Sequence, residues 1–319
     1  MSRRTLKLLG LAVTALLGVL VAAQPAYADH PAGTIVFSSD VGGLPQLYTM
    51  STDGSGMAPL TSTPDTVDFW PEWSADRTKV VFSRVLLSEE DNTEIFVVNR
   101  DGSGLRRLTT DAAVDNHPTW TPDGSRIIFD SNRNDPSPAT CRSTDLCRYD
   151  LFTIDADGTN LRQLTTSTGA DSHPKVSPDG TRVAFTSNRS GANAVWTMSI
   201  DGSGLRQLTP NSMIGGLPNW SPDGKRIIFE NNSCSFPTCA ESDLFTMKAT
   251  TGSVITQLTR NFGNNVDADY SPDGKFIIFQ HSDSVSTKTD VYITWEDGSH
   301  ITNITNSSTV SDFTPNWGA

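Results

Sequence analysis

Cysteine is scarce in this chain of 319 residues, which has only Cys141, Cys147, Cys234 and Cys239. The four fall into two local pairs, and neither pair has the C-x-x-C spacing of a common zinc knuckle. Two disulfides, Cys141 with Cys147 and Cys234 with Cys239, are the expectation for an exported chain, with a zinc site as the rival reading. Basic residues are also in deficit, with 24 Lys and Arg against 36 Asp and Glu. A surface of that sign repels phosphate backbones, so nucleic acid is not an expected partner. It favours solubility and cations. No G-x-S-x-G motif occurs, which leaves no nucleophile elbow of the hydrolase type.

The one long apolar run is at the start. Arg3, Arg4 and Lys7 precede an apolar stretch over residues 8–23, and Ala26-Tyr27-Ala28 has the small-x-small pattern of a cleavage site. Residues 1–28 are therefore expected to be a signal peptide cut after Ala28. A retained anchor is the alternative, though the run is shorter than the roughly 20 residues that span a bilayer. Ser2-Arg3-Arg4-Thr5-Leu6-Lys7 also resembles the twin-arginine export signal. Losing Arg3, Arg4 and Lys7 leaves 21 basic residues against 36 acidic ones, a balance of −15. The mature protein is expected to be a monomer without a membrane span, secreted or in the cell envelope.

What the chain has in quantity is one phrase. WSPDGKRIIF from Trp220 returns as WTPDGSRIIF from Trp120, VSPDGTRVAF from Val176 and YSPDGKFIIF from Tyr270, with a worn copy, WSADRTKVVF, from Trp73. Asp179 and Gly180 illustrate its chemistry, the Asp bonding the backbone ahead of it and the Gly accepting positive φ, which closes a short hairpin. Asp-Gly pairs at Asp101, Asp157, Asp201 and Asp297 mark a second hairpin in each unit. Asp155-Ala156-Asp157-Gly158 is read as one of these turns rather than as a calcium loop, since it lacks the distal acidic ligand. A Leu/Ile-Thr pair closes each unit, at Leu60, Leu108, Leu164, Leu208, Leu258 and Ile304, at intervals of 44 to 56 residues. Four antiparallel strands at that period describe a propeller blade. The expected fold is all-β, a six-bladed β-propeller filling residues 29–319 as a single domain. Thr34-Ile-Val-Phe-Ser reads as a second strand with no first strand before it, and Thr314-Pro315-Asn316-Trp317 reads as a first strand. The C-terminal strand is thus expected to join the N-terminal blade and close the ring, leaving no open sheet edge.

The sequence P-x-W-S-P-D-G, followed by a hydrophobic strand, then D-G and R-Q-L-T, resembles the repeats of the TolB-type, WD40-like propellers. The likeness covers about residues 34–317, and the same repeat occurs in the propellers of prolyl-oligopeptidase-type peptidases. TolB proper carries an α/β domain before its propeller. Only five residues separate Asp29 from Thr34, so a bare propeller is expected. The resemblance implies that the P-x-W strand is innermost, that the SPDG and DG turns share one face, and that the opposite face carries the longer loops. Those loops include both cysteine pairs and the acidic stretch Ser88-Glu89-Glu90-Asp91. Variable loops on a regular scaffold are the default binding surface.

Candidate site residues lie where the inner strands begin. Three positions before the repeat proline stand Asp68, Asp115, Asp171 and Asp312. One position before it, or at its equivalent, stand Trp70, His117, His173, Leu217, Asp267 and Thr314. If these face the channel, carboxylates and two imidazoles converge there. Asp68, Trp70, Asp115, His117, Asp171, His173, Asp267 and Asp312 are then candidate ligand contacts, and His117, His173, Asp115 and Asp267 a candidate set for a divalent cation. The plainer reading gives each Asp to backbone N–H groups of its own interblade link. Trp73, Trp120, Trp220 and Trp317 read as packing residues, and Trp70, off the repeat, as an aromatic contact.

Two function classes follow. One is a non-enzymatic scaffold binding a protein, peptide or glycan. The other is a metal-assisted polysaccharide lyase or hydrolase, a reading taken from propellers of this repeat type whose channel-mouth histidines hold a metal. No cofactor beyond that cation is implied.

Overall fold

The computed structural model describes residues 33–89, 92–136, 147–232, 241–260, 262–283, 288–307 and 309–318. They form six four-stranded antiparallel sheets, each a blade. Blade 1 is composite, with Asp312–Gly318 as its inner strand, followed by Thr34–Ser39, Gln46–Ser51 and Ala58–Pro59. Blades 2 to 6 follow in chain order, with inner strands Thr66–Trp73, Asp115–Trp120, Asp171–Val176, Ile214–Trp220 and Asn264–Tyr270. Thr34 pairs with Gly318 and Ser39 with Asp312, so the C-terminal strand closes the ring as the repeat alignment requires.

Local chemistry explains why each blade starts where it does. In the turn after the inner strand, Ser177 Oγ donates to Asp179 Oδ1 at 2.6 Å, and the Thr181 N–H donates to the same oxygen at 3.0 Å. The Gly180 N–H donates to the Ser177 carbonyl at 2.8 Å, with φ of 70° at the glycine. Asp76, Asp123, Asp223 and Asp273 repeat this arrangement, and in the worn copy Arg77 takes the left-handed position, at φ 56°. Asp157 is likewise a turn residue, accepting from the Thr159 N–H and hydroxyl at 2.9 and 2.6 Å.

The outer strand of each blade is only two residues long, and a threonine extends its ladder. The hydroxyls of Thr61, Thr109, Thr165, Thr209, Thr259 and Thr305 each accept an N–H from the third strand, at 2.8 to 3.0 Å. This is the physical content of the repeated Leu-Thr pair.

Six apolar clusters lie between neighbouring blades. Trp73, for example, is buried among Val36, Leu47 and Leu60 of blade 1 and Val80, Phe82, Phe96 and Val98 of its own blade. Trp120, Trp220 and Trp317 hold the same position in other clusters, as packing residues should. No blade encloses a core alone, so stability comes from stacking neighbours. No helix among the described residues is long and apolar enough to cross a membrane.

Candidate functional site at the channel mouth

The six inner strands share a defect. Each has a register break at the repeat proline or its equivalent, as between Asn116 and Thr119 or between Ser172 and Lys175. Such a bulge redirects side chains out of the sheet alternation. The first residue of each bulge is left-handed: Trp70, His117, His173, Leu217, Asp267 and Thr314 have φ between 48° and 54°. For non-glycine residues that conformation costs about 1–2 kcal/mol each. In four of the six, the preceding blade holds it in place. The His117 N–H donates to Ser83 Oγ at 3.1 Å, and that of His173 to Asp130 Oδ1 at 3.0 Å. Leu217 donates to Thr186 Oγ1 at 3.0 Å and Thr314 to Gln280 Oε1 at 3.2 Å. In these four the acceptor is the residue after the second-strand phenylalanine of the preceding blade, a recurring polar position that the repeat alignment passed over.

These six residues line one pocket of about 60 Å³ at the centre of the ring. Trp70, His117 and His173 form one wall. The two imidazoles lie with centroids 3.6 Å apart and planes tilted by 34°, and Trp70 meets them edge-on at 4.5 and 5.5 Å. His117 Nδ1 lies 2.8 Å from Asp130 Oδ1. Burial and the Lys175 ammonium push His117 down to about 3, and burial, with His117 beside it, pushes His173 well below the usual imidazole range. Both rings are therefore neutral at pH 7. Burial lifts Asp130 and Asp267 to about 7 against the pull of His173 and Lys175 respectively.

Two residues further along each inner strand lies a second ring, made by Glu72, Thr119, Lys175, Asn219, Asp269 and Asn316. The Lys175 ammonium reaches from blade 4 to Glu72 of blade 2, with its side chain 27 % exposed to the channel. Glu72 Oε1 also accepts from the Trp120 N–H at 2.9 Å, and Asp269 Oδ2 accepts from the Trp317 N–H at 2.7 Å and from Asn316 at 2.9 Å. Although burial alone would lower it, Glu72, Asp269 and Asp267 together raise the Lys175 pKa. Lys175 and Glu72 thus meet across the channel beneath the mouth pocket. Sequence reasoning missed this ring, whose signal is the residue after each repeat proline.

The early-strand aspartates are not channel residues. Asp68 is fully buried and chelated by Arg84 at 2.6 and 2.7 Å, with Thr61 donating at 2.6 Å. Asp115 accepts two bonds from Arg133, at 2.8 and 2.7 Å, and Asp171 pairs with Arg189 and Ser187. Asp312 is buried in blade 1, and burial lifts it to about 6. An ionised carboxylate is too costly to bury unpaired, and in three blades an arginine of the same blade supplies the charge. Asp68, Asp115, Asp171 and Asp312, which sequence reasoning offered as ligand contacts, thus lie buried, three of them in arginine pairs. These pairs also break up the cation set of His117, His173, Asp115 and Asp267, because Asp115 is committed to Arg133. Among the described residues, no group of three or more His, Cys, Asp or Glu side chains is placed to hold a metal ion. Trp70, His117, His173 and Asp267 do come together at the mouth, as their shared register implied. Cys147 is buried. Cys141, Cys234 and Cys239, and with them the two expected disulfides, lie outside the described residues.

Residues 146–253 match the family model described as the Tricorn protease N-terminal β-propeller domain. A TolB homolog of Chlorobium luteolum is 28 % identical over 157 residues, 49 % of this chain and 32 % of that protein. Among solved structures, TolB from Acinetobacter baumannii superposes with a TM-score of 0.73 at 19 % identity, over 90 % of this chain and 66 % of the other. A candidate TolB of Agrobacterium tumefaciens gives a TM-score of 0.65 at 17 % identity, over 86 % and 89 % of the two chains. The structural likenesses establish the fold. The alignment with the curated relative spans about a third of that protein's length.

Proposed function

Because this chain is a TolB-like β-propeller, we propose that it is an exported, non-enzymatic scaffold that receives a projecting segment of a protein, peptide or glycan at the channel mouth. The observation that carries the reading is the mouth pocket. Its six bulge residues sit in strained backbone, four of them held by the preceding blade, and strain of that kind concentrates where a site must be preorganised. The wall of Trp70, His117 and His173 offers aromatic faces and neutral imidazole edges. Lys175 and Glu72 narrow the channel below it, so an entering segment meets a floor. Trp70, His117, His173 and Asp267 are the proposed contacts. Export rests on the basic and apolar pattern of residues 1–28.

The test is site-specific photo-crosslinking in the native cells. A photoreactive residue at Leu217, in the mouth, is expected to form a discrete adduct, while one at Asp201, on the turn face, is not. Trp70→Ala should cut the Leu217 adduct by about tenfold, the usual effect of removing an aromatic anchor. Adducts from Asp201 alone, or equal yields from both sites, would overturn the proposal.

A further inference from the structure

Among the described residues, most buried carboxylates sit beside a cation. Asp68, Asp115 and Asp171 have arginines, Glu94 has Arg107, and Glu72 has Lys175. Glu230 has none: its Oε2 is buried without a hydrogen-bond partner. Its position is the one whose side chain, in blades 2, 3, 4 and 6, catches the bulge amide of the next blade. Burial and the neighbouring Asp267 carboxylate push Glu230 up to about 8.

The space beside Glu230 is also exceptional. Across the strand pair it faces Gly216, where the other blades present Phe69, Asn116, Ser172, Val266 and Phe313. A Cβ at Gly216 would lie 2.7 Å from Thr186 Oγ1, and one at Gly215 only 2.3 Å from the Glu230 carbonyl oxygen. Gly215 thus lies close against its own hairpin partner and Gly216 against Thr186 of blade 4, and a cavity of about 110 Å³ remains beside them. Ser172, Thr186, Asn193 and Glu230 give it polar walls, and it shares His173 and Leu217 with the mouth pocket. No Lys or Arg is among its lining residues.

We infer that this notch between blades 4 and 5 is a binding site for an organic cation, an ammonium or guanidinium group, seated against the Glu230 carboxylate. The chemistry is complementary: a multi-donor cation supplies the charge that Glu230 lacks, and its remaining N–H groups meet hydroxyl and amide oxygens. Where the cation is an arginine or lysine of an entering segment, the inference rests on the scaffold reading above and makes that segment basic. A free amine or guanidine would use the same contacts. Binding converts a largely protonated Glu230 into a carboxylate, so at pH 7 a proton is released as the cation enters.

The experiment is calorimetry on the mature protein with n-butylguanidinium, beside its neutral isostere n-butylurea. Titrations at pH 7 in two buffers of different ionisation enthalpy read the proton release. The expected result is millimolar binding of the cation, release of most of one proton, and at least tenfold weaker binding of the urea. Glu230→Gln, which keeps the side-chain shape, should weaken cation binding at least tenfold while the thermal midpoint holds or rises. Equal binding by the urea, unchanged binding in Glu230→Gln, or no binding at tens of millimolar would overturn the site. The Leu217 crosslink separates the sources. An adduct lost in Glu230→Gln assigns the cation to the partner segment, and an unchanged adduct assigns it to a free small molecule. A bound cation with no adduct from the wild type would leave the notch standing and remove the scaffold reading.

Discussion

A carboxylate in a protein interior is tolerated only beside a cation or a cluster of donors, and that rule sorts the aspartates of this protein. Asp68 and Arg84 are both essentially excluded from water, at 0 and 2 % exposure, and the guanidinium also lies 5.2 and 5.0 Å from the ring centres of Phe82 and Phe96. Arg84→Met should destabilise the protein by about 3–5 kcal/mol, because it strands a buried charge. The double variant Arg84→Met with Asp68→Asn should recover much of that loss. Urea unfolding of the three proteins checks both, and a single-variant loss under about 1 kcal/mol would show that Thr61 alone satisfies Asp68. The sequence displayed these aspartates at one recurrent position but not their direction. The arginines stand 16 to 18 residues away along the chain, and only strand pairing brings them round.

At the scale of the element, the blade was legible and the bulge was not. Ser-Pro-Asp-Gly and Leu-Thr act through bonds within a few residues or across one hairpin, so periodic spelling was enough to place every strand. The inner-strand bulge depends on an acceptor from the preceding blade, more than thirty residues earlier in the chain, as Ser83 is from His117. The proline marked where the bulge lies without saying that the residue before it turns left-handed. Ring closure was legible because the two incomplete ends spelled complementary halves of one blade. Deleting residues 312–318 should therefore do more than trim a terminus. It removes the inner strand of blade 1, including Trp317 from its cluster and the Asn316 oxygen that accepts the Trp73 N–H at 2.9 Å. The expected outcome is loss of the single cooperative thermal transition, with aggregation through the uncovered strand edge. A sharp transition retained in the truncated chain would mean that the five complete blades hold by themselves.

At the scale of the whole molecule, the buried acids set the response to pH. Asp130 and Asp267 lie near 7 and Glu230 near 8, against about 4 in an unfolded chain. Between pH 6.5 and 8.5 the folded protein gives up protons that the unfolded chain no longer holds, so stability falls as pH rises. The depressed imidazoles of His117 and His173 act only below about 6.5, where protonation favours the unfolded chain. The thermal midpoint at constant ionic strength should thus be lower at pH 8.5 than at 6.5, and Glu230→Gln should reduce the difference. An equal or higher midpoint at pH 8.5 would mean that these acids are already ionised in the folded state. The composite first blade has a further implication, for biosynthesis. A chain made from its N-terminus exposes Thr34–Ser39 long before the strand that covers it, Asp312–Gly318, has been translated. Until its partner is made, that strand is a sticky seam awaiting its zip, so a holding factor would matter most for the unfinished chain.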